Sequence, residues 1–428
     1  MTTPAPRHPV AVAAILAVGS ELLRHDRTDT NSLHITARLE ELGIGVAWKA
    51  IVGDDRTHLT DAVRFACARA DLVVLTGGLG PTDDDLTRDA VAAALRRGMT
   101  HDEPTIDAIR ARFARRHLPM PDINRRQGLV IEGAVLLPNG NGTAPGQWIE
   151  DGDRIVLLLP GPPREMRPML DAVVRGPLAG RVGRERLFRR SVRIAGRSES
   201  HAEEVLQPLY ASWARGSVPV AATILAAFGL LELQLTVRHA DAALADATLG
   251  AAVGSVVAAF GDDTFSSDGA TMDVVVGRLL ADRGLRVAFA ESCTGGLVSA
   301  RVSDVAGCSA YFERSVIAYS NAAKRELLGV PGEVIDLHGA VSEPVALAMA
   351  SGIRERSAVD IGVGITGIAG PSGATDDKPL GTVVIAVSGP GAHQRVRTML
   401  FPGDRQQVRT LATQSALDHL RRALLATS

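Results

Sequence analysis

Aromatic residues are scarce in this 428-residue chain: nine Phe, three Trp and three Tyr, 4% of the whole. Cores built without them must be filled by Ala, Val, Leu and Ile, and little is left for the ring platforms on which single-stranded nucleic acids stack. Cysteine is rarer still. Cys67, Cys293 and Cys308 are odd in number and lack metal-ligand spacing, which excludes a disulfide framework or zinc cluster and fits reduced thiols in a cytosolic protein. Charge of one sign is also missing. With 46 Lys and Arg against 48 Asp and Glu the formal net charge is −2, so no broad electrostatic footprint for nucleic acid exists. No apolar run reads as long enough to cross a bilayer. Val10–Val18 follows a proline, has a single arginine before it and passes straight into Glu21, so it reads as a first parallel strand and not as a signal peptide. The expected location is the cytoplasm, with no membrane partner.

What is present is ample apolar residue, 46% of a length that implies two or three domains. From "AVAAILAVG" onward, unbroken apolar runs alternate with helical patterns ("NSLHITARLEELG", "HLTDAVRFACARA"), as in a parallel sheet covered on both faces. This unit closes near Val156–Met166. Residues from about Gly176 to Phe260 differ: arginines crowd Arg175–Arg197, "SESHAEEVLQPLY" reads as a capped helix, two strand-like runs flank Gly229, and a helix follows, giving a small α+β module. The arginine run reads as a solvated face, since no aromatics interleave with it. "GDDTFSSDGA", Gly261–Ala270, reads as a linker, after which strand–helix alternation resumes. The expected domains are 1–172, 173–262 and 263–428.

In the last of these, "AESCTGG" (Ala290–Gly296) ends a strand in a small-residue turn before a helix. Such a turn exposes Ser292 and the N–H groups after it, either to a ligand or simply as an N-cap formed by Ser292 or Thr294. Cys293 lacks a recognisable histidine partner and reads as a small buried residue. "AYSNAAKRELLG" sets Tyr319 at a strand end and Lys324 in the next helix. A desolvated lysine can act as base for a serine nucleophile, whereas an ordinary helix lysine would face solvent. A second donor-rich turn, Gly364–Gly373, again follows a strand, and two such turns suit a nucleotide-sized anion at the strand C-termini.

Taken in order, "AESCTGG", "YSNAAK", "GAVSE" and "GITGIAGPSGATDDKPLGTV" resemble the C-terminal domain of the CinA family, from about Asp273 to the end. The resemblance implies a nicotinamide-nucleotide amidase that converts nicotinamide mononucleotide (NMN) to nicotinate mononucleotide and ammonia without a cofactor. By it Ser292 is the nucleophile, Lys324 the general base and Tyr319 their hydroxyl partner, while Thr294, Gly295, Gly296, Thr366 and Gly367 form the oxyanion and phosphate cradle. "AVGSELL", "DTNS", "VGDD", "TGGLGPTDDDLT", "NRRQ", "GTAPG" and "LPGPPREM" extend the likeness to the family's molybdopterin-binding-like N-terminal domain, which implies metal-dependent hydrolysis of ADP-ribose to AMP and ribose 5-phosphate. The middle module then corresponds to a KH-like domain, without a GXXG clamp.

That likeness gives the three successive aspartates of "TGGLGPTDDDLT" a purpose. Carboxylates beside a phosphate site are tolerated when a divalent cation lies between, and Mg²⁺ takes one or two carboxylates plus phosphate oxygens and waters. Thr76, Gly77, Gly78 and Gly80 would cradle the phosphate, with Asp84, Asp85 and Glu21 at a divalent metal (Mg²⁺ or similar), and Asp83 outside the site. Aspartates in a helix's first turn also stabilise it by about 0.3–1 kcal/mol each with no ligand. The helix after the turn is expected to have Thr82 at its N-cap, with Leu86, Ala90 and Leu95 on one face. One departure stands out: the loop after "ELL" reads "RHDRTDTN", with His25 and Asp26 where the family pattern has Gly-Gln, which bears on substrate or metal preference. Other functional classes stay open at this stage, a molybdopterin-type binding module or an accessory factor of competence and recombination. A homodimer is expected from the family and from the frequency of two-fold oligomers.

Overall fold

The computed structural model describes residues 8–227, 229–390 and 393–426. The chain divides into two compact units, Met1–Phe188 with Arg238–Ala245, and Arg189–Val237 with Asp246–Ser428.

The first unit is built on β1 (Val12–Val18), β2 (Gly45–Val52), β3 (Leu72–Thr76), β4 (Ala134–Leu137), β5 (Gly146–Asp151) and β6 (Arg154–Leu159), in the order β2-β1-β3-β6-β5-β4. The first four in this order are parallel, with β1, β3 and β6 apolar almost throughout and the edge strand β2 exposed on alternate residues, and β5 and β4 extend the sheet antiparallel. Alternate residues of β1 feed opposite cores: Ala14, Leu16 and Val18 pack on one face, Ala13 and Ile15 on the other. Helices α1 (Thr30–Glu41) and α2 (Arg56–Cys67) start where Asp29 and Asp55 accept from the N–H of Ser32 and His58. Helix α3 (Thr87–Leu95) differs from expectation. Its N-cap is Leu86, not Thr82, because Thr82 belongs to a separate turn closed on Asp85. Helix α4 (Pro163–Arg175) completes the unit.

In the second unit β7 (Arg186–Ala195), β8 (Ala221–Ala227), β9 (Leu230–His239) and β10 (Thr264–Ser266) form a sheet ordered β8-β9-β7-β10, with β8 and β9 a hairpin around Gly229. Helices Glu199–Ala214, capped by Ser198, and Ala242–Phe260 accompany it, giving the α+β module expected. The supposed linker is partly ordered sheet. Thr264–Ser266 pairs with Arg193 and Ile194 of β7, and Phe265 is buried in a core shared with Met272, Phe289 and Leu420. Helix Ala242–Phe260 also corrects the reading of no membrane-length segment, since it is long and apolar enough to cross a bilayer by composition alone. Its buried residues, Ala245, Leu249, Ala252, Val256 and Phe260, recur along one stripe, and most of the rest of the helix is exposed.

The same unit ends in a five-stranded sheet of β11 (Val287–Glu291), β12 (Phe312–Ile317), β13 (Ile361–Gly367), β14 (Thr382–Ser388) and β15 (Arg395–Leu400), ordered β12-β11-β13-β14-β15. The first three are parallel and the last two antiparallel. Helices α5 (Leu297–Ser303), α6 (Asn321–Leu328), α7 (Glu343–Ser357) and α8 (Arg405–Leu425) cover it. The strands on either side of β11 are reached in opposite directions, so the loops at its C-terminal end diverge. This is where open α/β sheets bind ligands. In the first unit β1 holds the same position between β2 and β3.

Candidate active sites

Strand β11 delivers Ser292 one residue past its end, still held in the ladder by an N–H bond to the Ile365 carbonyl (3.0 Å). Its neighbour β12 leads through Ala318 and Tyr319 into α6, whose first turn carries Lys324. The two parallel strands thus end side by side, and Lys324 Nζ lies 3.2 Å from Ser292 Oγ. Both side chains are buried, Lys324 at 2% exposure. The other partners of Nζ are the carbonyls of Ala318 and Tyr319, each at 3.1 Å. Burial pushes the lysine below its ordinary value, because charge is costly to desolvate. In a neutral amine the two N–H bonds satisfy the two carbonyls and the lone pair is left for the serine hydroxyl, the arrangement a general base needs. Burial also pushes the Cys293 thiol up to about 12, so it is no nucleophile.

Two expectations change here. The Tyr319 hydroxyl does not reach the pair: it accepts from Arg405 (2.9 Å) on an exposed side chain, and only the Tyr319 carbonyl touches Lys324. Nor are the glycine N–H groups an open cradle. Gly295 N–H donates to the Ser292 carbonyl, and Gly296 N–H to the Glu291 carboxylate (2.9 Å). Glu291, fully buried, also accepts from the N–H groups of Val298 and Ser299 and from the hydroxyls of Ser299 and Ser315. A negative side chain therefore occupies the start of α5, which excludes a phosphate there. Thr294 keeps a buried hydroxyl without a hydrogen-bond partner, one residue from the Ser292–Cys293 peptide. Thr366, buried, donates its hydroxyl to the Ala340 carbonyl, and Gly367 packs so closely on Cys293 and Val383 that a Cβ would collide. From α8, Arg409 donates to the carbonyls of Cys293 (3.1 Å) and Thr294 (2.8 Å), clamping the turn from outside.

In the first unit the C-terminal ends of β1, β3 and β6 open on a cavity of about 610 Å³ whose walls include Glu21, Thr76, Gly77, Gly78, Gly80, Asp84 and Asp85. All the residues read from the sequence are brought together. Asp83 is outside, paired with Arg126 (2.7 Å). The glycine loop is held from within. Thr87 donates its hydroxyl to the Gly77 carbonyl (2.8 Å), and a Cβ on Gly78, at φ 64°, would strike that hydroxyl. Buried Arg88 donates to the carbonyls of Leu79 and Gly80, placing a cation under the loop; burial lowers it to about 10, still charged at neutral pH. Gly77 and Gly80 N–H are engaged, by Leu159 and Asp85, while Gly78 and Leu79 N–H take no acceptor among the described residues.

The three carboxylates are not equivalent. Asp85 spends both oxygens on the loop, accepting from Gly80 N–H (2.7 Å), Thr82 N–H (2.9 Å) and the Thr82 hydroxyl (2.5 Å). It is a turn-former, not a free metal ligand. Asp84 and Glu21 are exposed, the latter beside Gly19. Among the described residues no three His, Cys, Asp or Glu side chains converge to hold an ion alone. Asp84 and Glu21 are the two carboxylates of the expected set that line the cavity without closing the loop. Sequence reasoning missed Glu291, Arg409 and Arg88, and also Asn31, which donates to Thr76 Oγ1 and the Gly161 carbonyl on the cavity wall.

The sequence model described as the CinA C-terminal domain matches residues 269–424, and that of a probable molybdopterin binding domain matches residues 14–180. The CinA-like protein of Solibacter usitatus is 42% identical over 412 residues, 96% of this chain and 98% of that one. The CinA-like protein of Koribacter versatilis is 43% identical over 418 residues, 97% of this chain and all of the other.

Proposed function

This chain belongs to the CinA family, and from that premise we propose that it is a hydrolase of pyridine-nucleotide salvage, acting in the cytoplasm. Its C-terminal domain deamidates NMN. The observation that carries the reading is the buried Lys324–Ser292 contact with a lysine below its ordinary pKa. Lys324 Nζ takes the Oγ proton as Oγ bonds to the carboxamide carbon, and returns it to the departing ammonia. Water, its proton passing to the same amine, then attacks the ester and releases nicotinate mononucleotide and Ser292. Since Glu291 bars phosphate from the α5 start, exposed Arg405, tied to the Tyr319 hydroxyl and the Gly370 carbonyl, supplies the phosphate partner. Ammonia release from NMN by the purified chain with EDTA present tests this; folded protein that yields none sinks the amidase.

The N-terminal cavity is proposed to hydrolyse the pyrophosphate of ADP-ribose. Gly78 and Leu79 N–H, over the Arg88 charge, would take phosphate, and Asp84 with Glu21 would hold the divalent cation. Such a cation polarises the phosphoryl group. Asp84→Asn is expected to lower Mg²⁺-dependent AMP formation by at least about 10-fold, the cost usual for groups one step further from a metal. Asp83→Asn, outside the cavity, should change it little; equal losses in both would remove the metal assignment. A second reading, a module that binds a pterin without turnover, is favoured by Asp85's full engagement in the loop. Tight pterin binding with no AMP formed would select it.

A further inference from the structure

Residues 24–28, between β1 and α1, are where the sequence departs from the family pattern, and the chemistry assigned so far leaves them without a part. His25 and Asp26 carry the departure, yet neither lines the cavity of about 610 Å³ at the ends of β1, β3 and β6. Of this loop only Arg27 and Thr28 reach the cavity wall. The backbone sets that presentation: the Arg27 N–H donates to the Arg24 carbonyl (3.3 Å) and the Thr30 N–H to the Thr28 carbonyl (3.0 Å). The acids nearby are committed elsewhere. Asp26 lies 3.8 Å from Arg24, and Asp29 accepts from the Ser32 N–H (3.0 Å) at the start of α1. Arg27 is exposed and has no carboxylate partner among the described residues.

Among the described residues Arg27 is also the one lysine or arginine in that lining, against six carboxylates. Arg88, buried under the glycine loop, gives its terminal nitrogens to the Leu79 and Gly80 carbonyls, so it adds charge but no free fork. The donors left on the loop itself are the N–H groups of Gly78 and Leu79, because those of Gly77 and Gly80 are taken. Two adjacent N–H groups serve one phosphate. A second phosphate must find its donors elsewhere on the wall, and a guanidinium, planar and always charged, suits it best. The two loops are placed for this. β1 and β3 are paired as far as Ala17 and Thr76, and a Cβ on Gly77 would lie 2.2 Å from the Val18 carbonyl oxygen. The Arg27 loop and the glycine loop therefore leave adjoining strand ends and rim one opening.

We propose, on the reading of this cavity as a phosphate site, that Arg27 holds the second phosphate of a diphosphate ester and makes the cavity prefer diphosphates to monophosphates. The test is calorimetric titration of the full-length protein with α,β-methylene-ADP, a diphosphate that resists cleavage, and with AMP, both with Mg²⁺. A Ser292→Ala background with NMN in excess keeps nucleotide from the second unit. The parent should bind the diphosphate at least about ten-fold more tightly than AMP, the factor for one charge-assisted hydrogen bond. Arg27→Ala should remove that preference, weakening the diphosphate about ten-fold and leaving AMP as before. Arg27→Lys keeps the charge without the fork and should recover part of the loss. Because the Arg27 side chain is exposed, its removal leaves folding intact, and the AMP affinity of the same variant reports this. A parent without the preference, an equal loss for both ligands in Arg27→Ala, or no change for either would overturn the proposal. AMP formation from ADP-ribose, followed alongside, separates it from the hydrolase reading. A preference lost in Arg27→Ala while the parent forms no AMP leaves Arg27 its role and removes the hydrolase. AMP formed by a parent whose binding is indifferent to Arg27→Ala does the reverse.

Discussion

Replacing Ser292 with alanine is expected to cut ammonia release from NMN by about 10⁴-fold or more, the scale on which serine hydrolases lose turnover without their nucleophile. Binding of NMN should be nearly unchanged, because the lost atom touches the substrate's reacting carbon and not its phosphate or ribose. Folding should be unchanged as well. The Ser292 N–H still bonds to Ile365, and Lys324 keeps both of its carbonyl partners. Lys324→Met should lose about 10²–10⁴, the usual worth of a positioned general base. Lys324→Arg should be as inactive, since a guanidinium does not give up its proton. If Ser292→Ala keeps its rate, the nucleophile lies elsewhere and the short Lys324–Ser292 contact is only structural.

The pH dependence follows from the same contact. Lys324 must be neutral to accept the Oγ proton, and burial places its pKa below the ordinary lysine value. The rate kcat/KM should therefore rise with pH through that lowered value and level off at a pH where an ordinary lysine would still be charged. The sign is fixed: protonation from the acid side removes the base. The folded protein also binds fewer protons than the unfolded chain between the two pKa values, so stability should rise with pH over that interval. An activity that falls as pH rises through the range would contradict a lysine base.

Much of this was legible in the sequence because the signals are local. Unbroken runs such as "DLVVLTGG" read as strands covered on both faces, and β1 and β3 lie where those runs stand, while the edge strand β2 exposes alternate residues. Ser292 and Lys324 were legible for a related reason, as one follows a strand end, the other lies in the first turn of the helix after the next strand, and the two strands are neighbours. What could not be read is which oxygen meets which N–H. Asp85 and Thr82 looked like metal ligand and helix cap, yet each satisfies the other. Arg409 reaches the Ser292 turn from more than a hundred residues away, a contact no spacing rule contains. Thr264–Ser266 carries linker composition but pairs as an edge strand because Phe265 has a core to enter. Tyr319 sits at the position the motif expects, but its ring turns outward and only its backbone serves the site.

Glu291 is the residue whose loss should reveal most about how the nucleophile is held. A fully buried carboxylate next to Ser292 in sequence gathers three N–H groups and two hydroxyls, and the first turn of α5 rests on it. Glutamine has the same shape but replaces one acceptor oxygen with a donor, which then faces donors that have nowhere else to go. Glu291→Gln should therefore cost roughly 2–4 kcal/mol, the sum of a lost charge-assisted bond and one or more unpaired buried N–H groups. Urea denaturation followed by circular dichroism would read this as a lower midpoint with an unchanged slope. The catalytic loss should exceed what the remaining folded fraction explains. Release of the Gly296 and Ser299 N–H groups lets the Ser292 turn drift, and an error of about 1 Å at a reacting atom costs on the order of 10²-fold. KM for NMN should move much less than kcat, because the hydrogen bonds of Glu291 reach neither Arg405 nor the Tyr319 loop. A Glu291→Gln protein as stable and as active as the parent would mean that backbone geometry and the Arg409 clamp alone hold Ser292 in place.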